Sequence, residues 1–476
     1  MSRRGMTLVE MLVALAATLI LMAAIARAFS AFWTAVTASR AALDLDGRLR
    51  TAAWRLRSDL AGTTARTLPP LAPESGEGYF EIIEGPATDA ADASGTSTQT
   101  ASVSGDFDDV LLFTTRNNET PFIGRAPTLS GSTVAEQNDQ FESTLAEVAW
   151  FARPTPGSSN PVTYTLYRRQ LLVMGYVGAD PFSSSPGSNN RIAVPASPYL
   201  SAATSGDVWA QYYNFPCDVS ARLEASTSGT FLYPNTIADL TRREARFMHN
   251  VSGTAAFPFA FVAHQTASTS GTVETLPAGI RGLVFDSTSQ RQGEDVILTN
   301  VLAFDVRVFD PTAPVRLTTG STPQVPGDPG FSNSASASGG FVDLGNNVTS
   351  NSLLTTTGTV TRFGGYGHAK SKLDGSATTR RTYDTWSLHY EANGVDEDGD
   401  GTVDEGTNGV DDDGDGTFDE PAGDTDGDGA IDDQGETDTL PPYPVPLRGV
   451  EVRIRCYDPG SRQVRQTTVR HTFVPN

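Results

Sequence analysis

The sequence is poor in the residues and motifs from which catalytic centres are usually built. Its 476 residues include two cysteines and five histidines, and the histidines are scattered without the close spacing of metal ligands. It also contains no Gly-x-Ser-x-Gly nucleophile motif, no Walker phosphate loop and no dinucleotide-binding fingerprint. We therefore predict a protein that is not an enzyme and that has no catalytic residues.

The two cysteines, Cys217 and Cys456, leave room for one disulfide at most. In an exported domain they could pair, because the compartment is oxidising. In the alternative, both are small buried side chains or free thiols. Sequence alone does not place their Cα atoms within bridging distance. Cys217–Cys456 is therefore a candidate disulfide, and both alternatives stay open.

Basic residues are scarce relative to acidic ones. The chain has 34 Lys and Arg against 56 Asp and Glu, a net charge of −22. This balance argues against nucleic acid as a partner. The excess is concentrated in residues 393–438, which hold 19 acidic residues and no Lys or Arg. Outside that segment, 37 acidic and 34 basic residues nearly balance.

An apolar stretch of about twenty residues follows two arginines close to the N-terminus. It begins at Met6 and has Glu10 as its one charged residue before Arg27. Such a stretch is long enough to span a bilayer core as a helix, and the preceding arginines place the N-terminus on the cytoplasmic side. A secretory signal peptide would end at a cleavage site. Here the apolar run instead continues into a second helical pattern.

That second pattern extends from Arg27 to Ala61, with leucines and alanines at helical spacing and charged residues between them. Gly62 is a suitable residue to end a helix. We therefore predict one continuous helix over residues 6–61, which would be about 80 Å long.

Glu10 is unusual because a carboxylate in the apolar part of a membrane helix costs roughly 2.5–3.5 kcal/mol. No partner is evident nearby in the sequence, so we expect its partner to lie in another subunit. The run from Gly5 to Glu10, GMTLVE, followed by an apolar helix, resembles the processing site of type IV prepilins and type II secretion pseudopilins. The alternative is an ordinary signal anchor in which Glu10 has no role.

The resemblance implies how the N-terminus is processed. A prepilin peptidase in the inner membrane would cleave after Gly5, which makes residues 1–5 a leader peptide. Met6 would become the N-methylated first residue, and Glu10 would pair with the amino terminus of a neighbouring subunit during assembly.

The rest of the chain predicts an α+β fold, with a long N-terminal transmembrane and assembly helix followed by a β-rich globular domain. The abundance of glycine (45) and proline (29) indicates long loops. We assign this domain to residues 62–392, an inserted Asp-rich calcium-binding segment to 393–438, and a closing C-terminal β-hairpin to 439–476. The predicted strands are 78–83, 109–115, 146–151, 164–169, 208–213, 257–262, 282–285, 296–310, 385–390, 450–457 and 464–474; 125–140 and 317–359 are predicted as loops, and 235–246 as a short helix.

The acidic segment repeats an Asp-Gly pattern three times. Each copy has carboxylates at relative positions 1, 3, 5 and 9 and glycine at position 6, the pattern by which EF-hand-type loops surround a hard cation. Oxygen ligands without histidine or cysteine favour Ca²⁺ over zinc or copper. The predicted ligands, with a backbone carbonyl at position 7, are Asp396, Asp398, Asp400, Thr402 and Asp404; Asp411, Asp413, Asp415, Thr417 and Asp419; and Asp424, Asp426, Asp428, Ala430 and Asp432.

These copies lack the bidentate glutamate at position 12 and resemble thrombospondin type 3 and related bacterial Asp-Gly-Asp repeats more closely than EF-hands. The alternative is a solvated acidic linker.

Two further stretches refine the family resemblance. The Val-x-Trp sequence at 148–150 with Tyr-Arg-Arg at 167–169, and the sequence PLRGVEV at 446–452, are similar to the minor pseudopilin J group. The chain is much longer than a typical member, so residues 182–290 and the acidic segment would be additions.

The resemblance implies a pilin-like structural subunit, first of all a minor pseudopilin of a type II secretion pseudopilus with its β-rich domain in the periplasm. Its partners would be other pilin or pseudopilin subunits, the prepilin peptidase and the inner membrane. The alternatives are a type IV pilus minor pilin and a membrane-anchored, calcium-dependent adhesin or binding module that uses a pilin-type anchor.

Overall fold

A computed structural model gives the fold of a defined part of the chain. It describes residues 7–67, 76–84, 105–107, 109–130, 133–155, 161–174, 191–194, 217–226, 229–241, 245–247, 291–317, 323–328, 331, 337–344, 367–368, 380–385 and 447–473. The predicted strands at 208–213, 257–262 and 282–285 and the predicted calcium segment lie outside the described residues.

A single helix, α1 (Leu8–Ala61), forms the N-terminal part of the described chain, and its 54 residues confirm the predicted continuous helix. Alanine and leucine dominate its sequence, and both are strong helix formers. Gly62 caps the C-terminal end, where its amide donates to the Asp59 carbonyl at 3.2 Å. A Cβ atom at this position would lie 2.3 Å from the Arg116 carbonyl oxygen, so the close approach requires glycine.

Fifteen strands follow the helix in the described residues. They are β1 (Phe80–Glu84), β2 (Val110–Arg116), β3 (Phe122–Ser130), β4 (Thr133–Ser143), β5 (Leu145–Pro154), β6 (Tyr164–Val173), β7 (Ile192–Val194), β8 (Ala221–Ser226), β9 (Gly229–Pro234), β10 (Val296–Val315), β11 (Ala337–Val342), β12 (Gly367–His368), β13 (Arg380–Asp384), β14 (Gly449–Asp458) and β15 (Gln463–Thr472).

Ten of these strands form one antiparallel sheet, the main sheet, in the order β12-β13-β1-β2-β5-β6-β10-β14-β15, with β11 paired to β10. Strands β3 and β4 form a separate hairpin, and β7, β9 and β8 form a three-stranded sheet. A long apolar helix followed by a strand-rich domain confirms the α+β prediction. The C-terminal hairpin β14–β15 belongs to the main sheet.

The core lies between α1 and one face of the main sheet. The helix contacts β15, β14, β10 and β2. Side chains alternate between the two faces of a strand, so Val450, Val452 and Ile454 of β14 join this core, whereas Glu451 and Arg453 face the other way. The helix contributes Leu45, Leu49, Ala52, Ala53, Leu56 and Leu60.

The strongest strand predictions are confirmed. Strands β1, β2, β5, β6, β14 and β15 lie where apolar or alternating sequence indicated them. The prediction of loop over 125–140 is wrong, because β3 and β4 pair there. A two-stranded hairpin is held by backbone hydrogen bonds between its own strands and needs no apolar pattern. The predicted loop over 317–359 likewise contains β11.

Two boundaries also differ from prediction. Strand β10 continues through Pro311 to Val315, since beyond Val308 it pairs with β11 and no longer with β14, and an irregularity between Asp310 and Pro314 accommodates the prolines. Of the strand predicted at 385–390, the structure describes Thr385 alone, which directly follows the end of β13 at Asp384; residues 386–390 lie outside the described residues. Within 235–246, the described helical structure is a 3-10 turn, Asp239–Thr241.

Candidate functional site

The N-terminal part of α1 exposes apolar side chains on every side. From Leu8 to Trp33 no residue of the helix is buried, and the exposed side chains include leucines, isoleucine, methionines and phenylalanines. The helix is long and apolar enough to cross a membrane. At the usual rise, residues 8–33 extend about 39 Å, which exceeds a bilayer core. This segment is therefore a candidate membrane anchor and contact surface for other helices.

Thr7 and Glu10 form a capping box at the start of the helix. The Thr7 amide donates to Glu10 Oε2 at 2.8 Å, and the Glu10 amide donates to Thr7 Oγ1 at 3.3 Å. The expectation that Glu10 has no partner near it in sequence is therefore wrong. The Thr-x-x-Glu spacing was the signal that could have identified this local pair. A capping box satisfies amides at the helix end and leaves the carboxylate its negative charge.

The C-terminal part of α1 is joined to the main sheet through a buried carboxylate. Asp59 is 3% exposed, and its carboxylate accepts hydrogen bonds from Trp150 Nε1 at 3.0 Å and from Arg168 Nε and Nη2 at 2.6 and 2.8 Å. Its backbone carbonyl accepts from Thr115 Oγ1 at 2.7 Å. Two charged hydrogen bonds from one guanidinium to one carboxylate fix both the distance between the two groups and their relative orientation. The helix is thus held rigidly to β2, β5 and β6.

A second buried network lies on the face of the main sheet opposite α1. The Glu147 carboxylate accepts hydrogen bonds from Tyr79 Oη at 2.7 Å, Ser220 Oγ at 2.5 Å and the Phe247 amide at 2.7 Å. Burial raises the pKa of Glu147, and these three donors partly oppose that rise. The Arg246 guanidinium lies 4.2 Å over the Tyr79 ring. Because these side chains are fully buried, the network ties neighbouring segments to the sheet and is closed to a substrate.

Three buried carboxylates lie close together, two just before β2 and one on β10, and sequence reasoning did not anticipate them. Asp106, Asp109 and Asp305 each place an oxygen within 4.8 Å of the others. Asp109 Oδ2 accepts a hydrogen bond from the Val306 amide at 2.6 Å. The Asp305 carboxylate accepts hydrogen bonds from Arg307 Nε. Asp305 lies far along the chain from Asp106, so no local motif could have indicated the group. None of these three residues is among the predicted calcium ligands.

The structure places the two cysteines in different environments. Cys456 lies on β14 within the core against α1, and Cys217 is buried just before β8. No disulfide joins them. Burial raises the pKa of the Cys456 thiol to about 12, so this thiol stays protonated at neutral pH. Of the other predicted site residues, Gly5, Met6 and all the calcium ligands lie outside the described residues.

Comparison with known proteins supports the interpretation of the N-terminus. Residues 1–26 match the family model described as the prokaryotic N-terminal methylation motif. Neither the curated proteins nor the solved structures contain a match to the chain. The chain thus carries a prepilin-type methylation motif on an apolar helix that leads into a strand-rich domain, which supports a pilin or pseudopilin type of subunit.

Proposed function

We propose that the protein is a pilin-like structural subunit that is held in the inner membrane by α1 and assembles with other pilin or pseudopilin subunits through this helix. The observation that carries the proposal is the methylation motif on a helix that is exposed and apolar over its first half and clamped to the domain over its second. Such a helix fixes the position of the domain relative to the membrane segment.

The outer face of the domain-bound half of α1 also favours assembly over simple anchoring. Leu43 and Trp54 are 70% and 64% exposed, although the opposite side of the same helix is packed on the sheet. A large apolar side chain held on a rigid helix gains free energy when a neighbouring subunit covers it.

Within this class, a minor pseudopilin of a type II secretion pseudopilus is the function we favour. The sequences similar to the minor pseudopilin J group fall on β5, β6 and β14, which are strands of one sheet. A type IV pilus minor pilin is the second candidate. A calcium-dependent adhesin with a pilin-type anchor is the third, and it would require a binding partner outside the assembly. No catalytic role is part of the proposal.

Processing is the first test. We expect mass spectrometry of the mature protein to find an N-methylated Met6 as its first residue. A Gly5→Val variant is the matched control and should keep its leader, because the peptidase must accept the side chain beside the cleaved bond. An intact Met1 in the wild type, or a cut beyond Ala26, would show that the chain is an ordinary signal anchor or a secreted protein.

Calcium binding is the second test, and the sheet order gives it a structural consequence. The predicted segment 393–438 lies in the connection from β13 to β14, and five strands separate these two in the main sheet. At about 4.8 Å per strand, the connection crosses roughly 29 Å. Metal bound in this connection would stiffen a link between distant parts of the sheet.

We expect the full chain in detergent to bind about one Ca²⁺ per repeat, with a dissociation constant on the order of 10⁻⁴–10⁻³ M because the position-12 glutamate is missing. Calorimetry should detect this binding, and millimolar Ca²⁺ should protect the segment from protease. A variant combining Asp398→Ala, Asp413→Ala and Asp426→Ala should lose both effects. Equal heats from the two proteins would leave the solvated acidic linker as the interpretation.

A further inference from the structure

Strand β15 forms one end of the main sheet in the part of the chain that the structure describes. The Phe473 amide donates to the Arg448 carbonyl at 3.0 Å, in register with the pairs Gly449↔Thr472 and Val450↔His471. In an antiparallel pair, hydrogen-bonded and non-bonded positions alternate. The backbone N–H and C=O groups of residues 464, 466, 468, 470 and 472 therefore point away from β14. The Thr468 carbonyl confirms this direction, because it accepts from Arg57 Nη2 at 3.4 Å across the edge.

The edge is basic in a strongly acidic protein. The hairpin from Gly449 to Thr472 contains five arginines, no lysine and two acidic residues, whereas the whole chain carries a net charge of −22. Arg57 adds a further cation from α1. Among the described residues, no carboxylate forms an ion pair with Arg57, and its side chain is exposed. The outward backbone groups of β15, among which the Thr468 carbonyl accepts from Arg57, are thus flanked by positive charge.

A cleft of about 720 Å³ opens at the same edge, between β14–β15 and residues 323–328. Arg57, Thr468 and Arg470 line it on the side of the edge. The two carboxylates that line the cleft are already paired, Glu451 with Arg453 at 2.7 Å and with Arg470 at 2.5 Å, and Asp328 with Arg307 at 2.7 Å. Arg470 is 67% exposed, so part of its guanidinium remains available to a ligand. The cleft can therefore accept side chains of a strand that lies along β15.

We propose that the edge of β15 binds an extended acidic segment of a partner protein as an added strand. The partner's backbone would pair with the outward amides of β15 and with its outward carbonyls, displacing Arg57 from the Thr468 carbonyl, and alternate carboxylates would meet Arg57 and Arg470. Main-chain pairing of this kind supplies affinity, and side chains at every second position supply specificity. Two β15 edges would bring their own arginines together, so the charge opposes pairing with a second copy and favours an acidic strand.

A peptide of defined charge tests this proposal on the full chain in detergent micelles. The probe is a fluorescent ten-residue peptide of alternating glutamate and valine, and its control has lysine in place of glutamate. We expect the acidic peptide to bind in fluorescence anisotropy, more weakly at high salt, and the basic peptide not to bind. Hydrogen exchange should slow at the outward amides of Gln466, Thr468 and Arg470 when the acidic peptide is bound.

Variants separate backbone pairing from simple charge attraction. Thr468→Pro removes an outward amide at an edge, where proline is tolerated, and should weaken binding by about tenfold or more. Thr468→Val keeps that amide and should bind like the wild type. Arg57→Gln should weaken binding by about three- to fivefold, whereas Arg50→Gln, an exposed arginine seven residues earlier on α1, should have no effect.

The inference does not depend on assembly of α1, because the peptide is offered to dispersed protein. It is overturned if the acidic peptide fails to bind, if binding leaves the outward amides unprotected, or if Thr468→Pro binds as tightly as Thr468→Val. Should the proline variant fold poorly, the amide protection in the wild-type protein decides the question.

Discussion

Replacing Asp59 by alanine is expected to lower the free energy of unfolding by about 3–5 kcal/mol, because it leaves a buried arginine without its anion. The Arg168 side chain is 6% exposed and donates two hydrogen bonds to the Asp59 carboxylate. The Trp150 indole N–H would also lose its acceptor. Arg168 has no room to reach bulk water without opening the interface between α1 and the sheet.

Chemical denaturation in detergent micelles, followed by tryptophan fluorescence, would measure this loss. Asp44→Ala is the matched control on the same helix. Asp44 pairs with Arg48 at 2.7 Å, but the two side chains are 63% and 58% exposed, so the change should cost no more than about 0.5 kcal/mol. A double variant, Asp59→Ala with Arg168→Met, should recover part of the stability, because it removes the orphaned charge. Equal stability of Asp59→Ala and Asp44→Ala would contradict the assigned role of Asp59 in holding α1 to the main sheet.

The buried hydrogen bonds of Asp59 also illustrate the limit of sequence reasoning for this chain. The helix, the N-terminal motif and the strands around Val110 and Val450 were predictable because their signals are local: an apolar run, a fixed spacing or an alternating pattern. The partnership of Asp59 with Arg168 joins residues 109 positions apart. No periodicity encodes such a pair, since it depends on how α1 crosses the sheet.

The same distinction separates the strands that were found from those that were missed. Strand β2 is buried along almost its whole length and reads as a continuous apolar run. Strand β11 has a single buried residue, Val342, and contains two glycines, so its sequence shows no apolar or alternating pattern that would indicate pairing with β10. The cleft beside β15 likewise could not be predicted from the sequence, because it brings Arg57 of α1 next to β15.

Glu10 carries the second large expected effect, and the capping box makes its test more specific. Loss of the carboxylate should impair assembly if, as proposed, it neutralises the amino terminus of a neighbouring subunit in an apolar environment. An unpaired buried charge costs about 3 kcal/mol or more, which corresponds to on the order of a 100-fold loss of assembled material. The same carboxylate also holds the Thr7 amide within its own chain. A loss of assembly in a Glu10→Val variant would therefore not distinguish the two roles.

Two conservative variants do distinguish them. Glu10→Gln keeps a capping-box side chain at the third helical position but removes the negative charge. Thr7→Ala removes the cap, at a cost of about 1 kcal/mol at the end of a long helix, and keeps the charge. With membrane insertion confirmed for each by fractionation, we expect cross-linking of subunits to be lost in Glu10→Gln and retained in Thr7→Ala. The reverse pattern would mean that Glu10 serves the helix end alone, since a cap tolerates glutamine but an amino terminus buried in lipid needs a full negative charge.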